Sequence, residues 1–406
     1  MKRVTGLFLI AFVVQAADNP VTLVSGDEAE PIHSAIIRRE AWTMDAVRRL
    51  RADAEKRLKE GPWSVTAERP KSLELDLDVH DYYSQAPYWW PDPTNATGTY
   101  VRKDGQVNPD RFMSNKNALN AMGEAVFTLG TAAFLLDDTR YAQRAARDIN
   151  TWFVNPKTRM NPSMEFAQVI RGSNDNPGGG ILEGRIFIRA IQGMEFLSHT
   201  GAWDPKDQAA VHKWFEEYLA WLTHSQSGLH EKNSGNNHAS WWTAQVAAVA
   251  TFVGDKAEET AAFNYYRQHI LPAQIRADGS APREEARTRS LSYSAFNLEA
   301  FSTICRIAQV NGEDLWSVQG RRGASITTIV EYLRPYLQDP KRWSKEQIIE
   351  FQNDGLYSLA FTGMGLKNPQ YVALYKKLER PEGSPFLSLV DLLVGRWEAA
   401  AHQTRH

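Results

Sequence analysis

The sequence predicts an all-α fold: an incomplete (α/α) toroid of helical hairpins, preceded by an N-terminal aromatic loop region. Three observations predict it. Helical periodicity runs with few interruptions from about residue 115 to the end of the chain. Within it, segments that are apolar nearly all round alternate with amphipathic ones, the pattern of buried and outer helices. Short polar or glycine breaks separate the two members of each pair, as antiparallel helix pairs require. No sequence repeat accompanies the alternation, and an irregular helical array is the competing arrangement.

The elements follow in order. Residues 1–16 combine the basic Lys2 and Arg3, an apolar run over 4–14 and a small-x-small ending at Val14-Gln15-Ala16. That is the pattern of a signal peptide, and it is too short to span a membrane. The reading divides the chain into a signal peptide, 1–16, and one toroid domain, 17–406, of a periplasmic or secreted protein. Residues 34–60 read as a helix with Ala35, Ile36, Ile37, Trp42, Val47, Leu50 and Ala54 on its apolar side. The stretch 61–114 is polar and aromatic, and Pro87, Pro91 and Pro93 exclude a helix there. Stretches of that length without regular structure are often functional. Helix pairs are predicted over 115–136 and 139–153, 182–198 and 206–224, 238–253 and 256–270, and 284–310 and 321–337. Asp137-Asp138-Thr139 and Gly254 mark two of the breaks. Weaker helices follow over 345–361, 368–379 and 386–400.

Composition narrows the function. With 43% hydrophobic and 23% charged residues, the 406-residue chain is neither disordered nor of low complexity. Its net charge is -2, and -4 without residues 1–16. No electrostatic footprint for nucleic acid or an anionic membrane is present, so any acidic ligand must be met by a local cluster of Arg and Lys. Cys305 is the sole cysteine, which excludes an intrachain disulfide. Zinc, GxGxxG and Walker motifs are absent from the sequence.

Four segments carry candidate chemistry. Over 229–242, Asn236 or Asn237 is a natural N-cap, but a cap does not explain a second Asn followed by His238, Trp241 and Trp242. A His in the first helical turn can accept a proton or hold a carboxylate. Over 283–297, helical spacing puts Arg289 and Tyr293 on one face. Arg287 falls about 120° away unless the helix starts after it. A neighbouring Arg favours tyrosinate, and a plain ion-pair cluster of Glu284, Glu285, Arg287 and Arg289 is the alternative. Over 80–93, His80, Tyr82, Tyr83, Tyr88, Trp89 and Trp90 suit a sugar-facing wall, although aromatic residues more often fill cores. Over 160–180, Asn161, Gln168, Arg171, Asn174 and Asn176 suit a mobile rim or a surface connection.

Together and in this order, the text from Asp81 to Pro93, Asn236-Asn237-His238 and the Arg-rich helix start leading to Tyr293 resemble the alginate lyase superfamily of helical-toroid polysaccharide lyases. The spelling is similar to polysaccharide lyase families thirty-eight and five. The resemblance covers about residues 75–360. It implies β-elimination on a uronic-acid polymer, with Tyr293 transferring protons and Asn237 and His238 neutralising the uronate carboxylate or assisting the base. Arg287 matches the family arginine, with Arg289 the other possibility. The expected partner is an acidic polysaccharide, alginate or a glucuronan-like polymer, and no metal or organic cofactor is needed. Chemistry agrees, because the C5 proton of a charged uronate becomes acidic only when donors stabilise its enolate-like state. Substrate contacts are expected from His80, the aromatic segment, Gln168, Arg171, Trp241 and Arg289. An inverting glycoside hydrolase would instead need a carboxylate pair, for which Glu165, Asp175 and Glu183 are available. A non-catalytic glycan-binding protein would need only the aromatic loop.

Overall fold

The computed structural model describes residues 22–403 except 71–74, 76, 96–97, 174–178, 353–355 and 380–383. The expected signal peptide and Asn174, Asp175 and Asn176 lie outside the described residues. The first departure from the sequence pattern is near the N-terminus. In place of one helix over 34–60, α1 (Gly26–Ile37) and α2 (Met44–Arg57) flank a break. Arg39 is left-handed there, with φ 56°. Glu40 accepts from the Arg38 guanidinium at 2.7 Å and the Trp42 indole at 2.6 Å. Residues with the composition of a polar helix face thus hold a turn. Ile37, expected on the apolar side, is 64% exposed at the end of α1.

The next pair forms at the expected break. α3 (Ser114–Leu136) stops at Asp137, φ 52°, and the Asp138 carboxylate caps α4 (Thr139–Ile149) by accepting from the Arg140 N–H at 3.0 Å. α3 is long and apolar enough to cross a membrane by composition, yet it is mostly buried in the core. It lies so close to α5 (Ile186–Ser198) that a Cβ on Gly130 would stand 2.0 Å from the Gly193 carbonyl oxygen. α6 (Pro205–His224) follows, then a short helix the pattern does not predict, α7 (Gln226–Lys232). α8 (Asn237–Val253) ends at Gly254, whose φ of 77° reverses the chain into α9 (Lys256–Tyr265).

Beyond α10 (Leu271–Gln274), the helix expected over 284–310 is split into α11 (Pro282–Glu285) and α12 (Ser290–Val310). α13 (Ile326–Gln338) comes next. The helix expected over 345–361 appears only as α14 (Tyr357–Gly365). The reason is backbone pairing: Ser290 N–H donates to the Glu346 carbonyl at 3.0 Å and Ile348 N–H to the Thr288 carbonyl at 2.9 Å. Groups committed there cannot enter an i→i−4 ladder. α15 (Pro369–Lys377) and α16 (Pro385–Gln403) complete the chain.

The apolar helices form the inner wall of a toroid. α3 packs on α5, α5 on α8, α8 on α12 and α12 on α14, while α16 sits between α14 and α3. α4, α6, α9, α13 and α15 back onto this ring from outside. Because inner and outer helices alternate along the chain, the inner ones run in one direction. The loops entering them therefore gather at one end of the ring. The stretch 61–114 lies there. β1 (Tyr83–Gln85) pairs in parallel with β4 (Phe166–Val169), and β2 (Trp89–Trp90) is antiparallel to β3 (Val101–Arg102).

Candidate active site

Tyr293, in the first turn of α12, is half-buried at that end. Its hydroxyl donates to the Tyr88 oxygen at 2.6 Å and accepts from Arg287 Nη2 at 2.9 Å. The Arg287 guanidinium also lies 4.0 Å from the centre of the Tyr293 ring. Arg287 precedes α12, so the helical angle that would separate it from Tyr293 does not apply. Arg289 is the N-cap residue of α12; it donates to the Gly105 carbonyl, and its guanidinium is 6.0 Å from the Tyr88 ring.

Arg287 is held in turn by a residue the sequence reading missed. Asp104 takes Arg287 Nη2 at 2.7 Å and Nε at 3.1 Å, together with the Thr288 N–H and hydroxyl at 3.2 and 3.0 Å. Burial alone would raise the Asp104 carboxyl, but the Arg287 and Thr288 bonds hold it well below the usual carboxylate range. Burial, then the charge and hydrogen bond of Tyr88, push the Tyr293 phenol well above its ordinary value. Arg287 pulls the other way, as expected of a cation beside a phenol, and is outweighed. Tyr293 therefore carries its proton at neutral pH.

The neighbouring inner helix presents the second group. The Asn236 side chain caps α8 by accepting from the His238 N–H at 3.0 Å. His238 keeps 24% of its side chain exposed, and its Nδ1 lies 2.9 Å from Glu231 Oε1. Glu231 is buried on α7 and also accepts from the Leu182 N–H at 3.2 Å. A carboxylate at Nδ1 selects the tautomer with its proton there and leaves Nε2 as a proton acceptor. Asn237, only 1% exposed, turns inward: its N–H and side-chain amide donate to the two oxygens of buried Glu284 at 2.6 and 2.7 Å. Burial raises the Glu284 carboxyl, against the pull of the Asn237 donors and the nearby His238 and Arg287.

The aromatic segment divides. Tyr88, Trp89 and Trp90 are half-buried, with the Trp90 indole donating to the Gln106 carbonyl at 3.0 Å. Tyr82 and Tyr83, expected on the same wall, are buried instead. For Tyr82 the cause is Glu183, which accepts from Tyr82 (2.7 Å), Ser84 (2.7 Å), Gln168 (3.1 Å) and Lys116 (2.8 Å); Tyr83 packs on Phe112, with ring centres 5.6 Å apart. The buried Glu183 carboxylate ties three chain segments together and has no lone pair to spare for hydrolysis. Glu165, another carboxylate weighed for that role, accepts from Ser227 at 2.7 Å.

The other expected contacts are scattered. His80 Nδ1 meets the Arg159 carbonyl at 2.7 Å, and Arg171 bonds Tyr100 at 3.2 Å. Trp241 is buried in the ring interior. Glu231, which the reading missed, and Glu284, which it weighed only as part of an ion-pair cluster, are both buried and had no local signal of burial. Asp104 had none at all, since its partner is 183 positions away.

Residues 68–343 match the alginate lyase family. A crystal structure of an alginate lyase from Bacteroides ovatus superimposes with a TM-score of 0.84 at 30% identity, covering 92% of this chain and 99% of that one. Alginate lyase A1-III complexed with a tetrasaccharide has the same fold, with a TM-score of 0.53 at 16% identity over 86% of this chain and 87% of that one. No curated protein matches the chain. The molecule is an enzyme, a helical-toroid polysaccharide lyase. More particularly, the chain belongs to the alginate lyase family.

Proposed function

We propose that this enzyme cleaves an alginate-type polyuronate by β-elimination at the cluster formed by Tyr88, Tyr293, Arg287 and His238, outside the cytoplasm. The observation that carries the reading is the Tyr293 phenol, clamped between Arg287 and Tyr88 at the end of the ring that also presents His238 on Glu231. In the reaction a base takes the C5 proton, the C4–O4 bond breaks, a C4=C5 double bond forms, and O4 leaves with a proton. His238 Nε2 is the base where the C5 proton faces it, and Tyr293 supplies the proton to O4. Where proton and leaving oxygen share a face, Tyr293 serves both steps: its own proton passes first to solvent water, the tyrosinate then takes the C5 proton, and that proton goes on to O4. Asn237 and Arg287, bonded to Glu284 and Asp104, hold the helix starts that carry His238 and Tyr293 in place. Export rests on the pattern of residues 1–16.

The test is ultraviolet absorbance during incubation with alginate, polymannuronate, polyguluronate and glucuronan. A lyase generates the conjugated unsaturated uronate, and the best of the four polymers defines the substrate. Tyr293→Phe is expected to lose about 10²–10⁴-fold in kcat with unchanged circular dichroism. Full activity in that variant would remove Tyr293 from the reaction. Sequencing the N-terminus of exported protein is expected to read from Ala17.

A further inference from the structure

The helix that carries Tyr293 does not cap itself. The N–H groups at a helix start have no partner within the helix and need one from outside it. On α8 the side chain of the preceding residue, Asn236, supplies one. On α12 the preceding residue is Arg289, whose side chain makes no cap bond. The donors of that first turn go instead to a distant segment, 343–349. Ser290 N–H donates to the Glu346 carbonyl at 3.0 Å. Leu291 N–H donates to Gln347 Oε1 at 3.0 Å, and Ser292 N–H reaches the same oxygen at 3.4 Å. The Gln347 amide returns a bond, from Nε2 to Ser292 Oγ at 2.8 Å. One side chain from another part of the chain therefore closes this turn. Tyr293 is the next residue, and its N–H donates to the Arg289 carbonyl at 3.0 Å.

The same segment reaches the second group on the phenol. Ile348 N–H donates to the Thr288 carbonyl at 2.9 Å, and Thr288 bonds Asp104 through its own N–H and hydroxyl. Asp104 holds Arg287, which donates to the Tyr293 hydroxyl. The phenol and its guanidinium are thus both placed by one strap. The strap is itself fixed away from the reacting groups. The Trp343 indole donates to Ser290 Oγ at 2.7 Å and packs edge-on against Tyr336 of α13, with ring centres 4.8 Å apart. Lys345 donates to the Tyr332 hydroxyl of α13 at 2.9 Å and pairs with Glu285 of α11. Residues 344–346 and 348–350 are exposed, and Gln347 between them is turned inward. Its remaining bond, from Nε2 to the Ile349 carbonyl at 2.7 Å, locks the amide in that direction. An amide used in this way adds little to a core; what it fixes is the turn.

We propose that Gln347 is a positioning residue of the reaction: from the strap it caps the turn that carries Tyr293 and so sets the phenol against Arg287. This rests on the lyase reading and adds a residue that acts through Tyr293 rather than on the sugar. A displacement of about 1 Å in a reacting group can cost about 10²-fold in rate. Gln347→Ala removes the cap and is expected to lower kcat by about 10–10²-fold, with KM changed by less than about twofold. Gln347→Glu keeps an acceptor of the same reach for the Leu291 N–H and is expected to keep kcat within about threefold. The control is Asn368→Ala, which removes the N-cap of the outer helix α15, where the Asn368 side chain accepts from the Gln370 N–H at 3.0 Å. Both alanine variants should melt about 2–4 °C lower, and only Gln347→Ala should lose kcat. Amide hydrogen exchange over residues 288–296 is expected to be about tenfold faster in Gln347→Ala than in the unaltered protein, and unchanged over 237–253. Unchanged exchange over 288–296, or an unchanged kcat, overturns the proposal. So does a fall in kcat that is equal in Gln347→Ala and Gln347→Glu, or equal in Gln347→Ala and Asn368→Ala. If the unaltered enzyme makes no unsaturated product from any polyuronate, the lyase reading falls, while hydrogen exchange still decides whether Gln347 caps the turn of Tyr293.

Discussion

At the scale of single residues, the site is a set of opposing pulls on one phenol. Burial and Tyr88 raise the Tyr293 proton affinity, and Arg287 lowers it. Removing Tyr88 deletes two of the raising influences and leaves the lowering one. Tyr88→Phe is therefore expected to move the alkaline limb of the kcat/KM profile to lower pH, read from rates across pH 6–11. An unmoved limb would mean that Tyr293 does not titrate in that limb. Asp104 acts one step removed, by holding Arg287 against Tyr293. Asp104→Asn keeps the shape but removes the charge, and is expected to reduce kcat by about tenfold, roughly 1.4 kcal/mol of transition-state stabilisation, with little change in KM. Steady-state kinetics on the purified variant checks this. Arg287 and Tyr293 stand together at one basic helix start and His238 at the start of another helix, and these local patterns singled them out in the sequence. No such pattern marked Asp104, Glu231 and Glu284, because their importance comes from partners the chain brings in by folding.

At the scale of elements, caps and breaks were the legible part. Asp138, Asn236 and Asp255 each accept from the N–H of a first-turn residue of the helix they begin, a local interaction that a sequence displays directly. Helices with competing long-range partners were not legible. The failed start of α14 and the split before α12 share one cause, the pairing between 288–290 and 346–348. α4 carries a stability device of its own. Asp148 is buried beside Arg144, four residues earlier, and burial raises its pKa to about 6 against the pull of that arginine. A raised carboxyl binds its proton more tightly in the folded state. Its contribution is full below the unfolded value of about 4 and is lost as pH rises through about 6. Between pH 4 and 7 the wild type should lose up to about 3 kcal/mol through this residue, and Asp148→Asn should not. Thermal melts of both proteins at several pH values check the difference in slope.

At the scale of the whole molecule, the ring depends on chain ends as well as on hairpins. The segment Thr22–Val24 is buried inside the toroid, bonded to Glu195, Gln192 and Arg306. Arg306, 2% exposed on α12, reaches both the Leu23 carbonyl and the Glu28 carboxylate. Arg306→Gln leaves Glu28 without its cation and is expected to cost about 3–5 kcal/mol. The check is a lower melting temperature together with faster proteolysis near residue 22; an unchanged melt would show that the segment is dispensable. α16 likewise occupies the space between α14 and α3, so contact runs round the inner wall.

The sequence by itself determined the succession of helices, most of their breaks, and the presence of a basic, tyrosine-bearing helix start beside a capped His. These follow from periodicity and capping, which act over about four residues. Only the tertiary structure decided that Tyr82 faces inward on Glu183 and that Tyr83 is buried, while Tyr88 faces Tyr293. It alone decided that Asp104 occupies Arg287. Burial and ion pairing are set by which distant segments meet, and neither leaves a local trace in the chain.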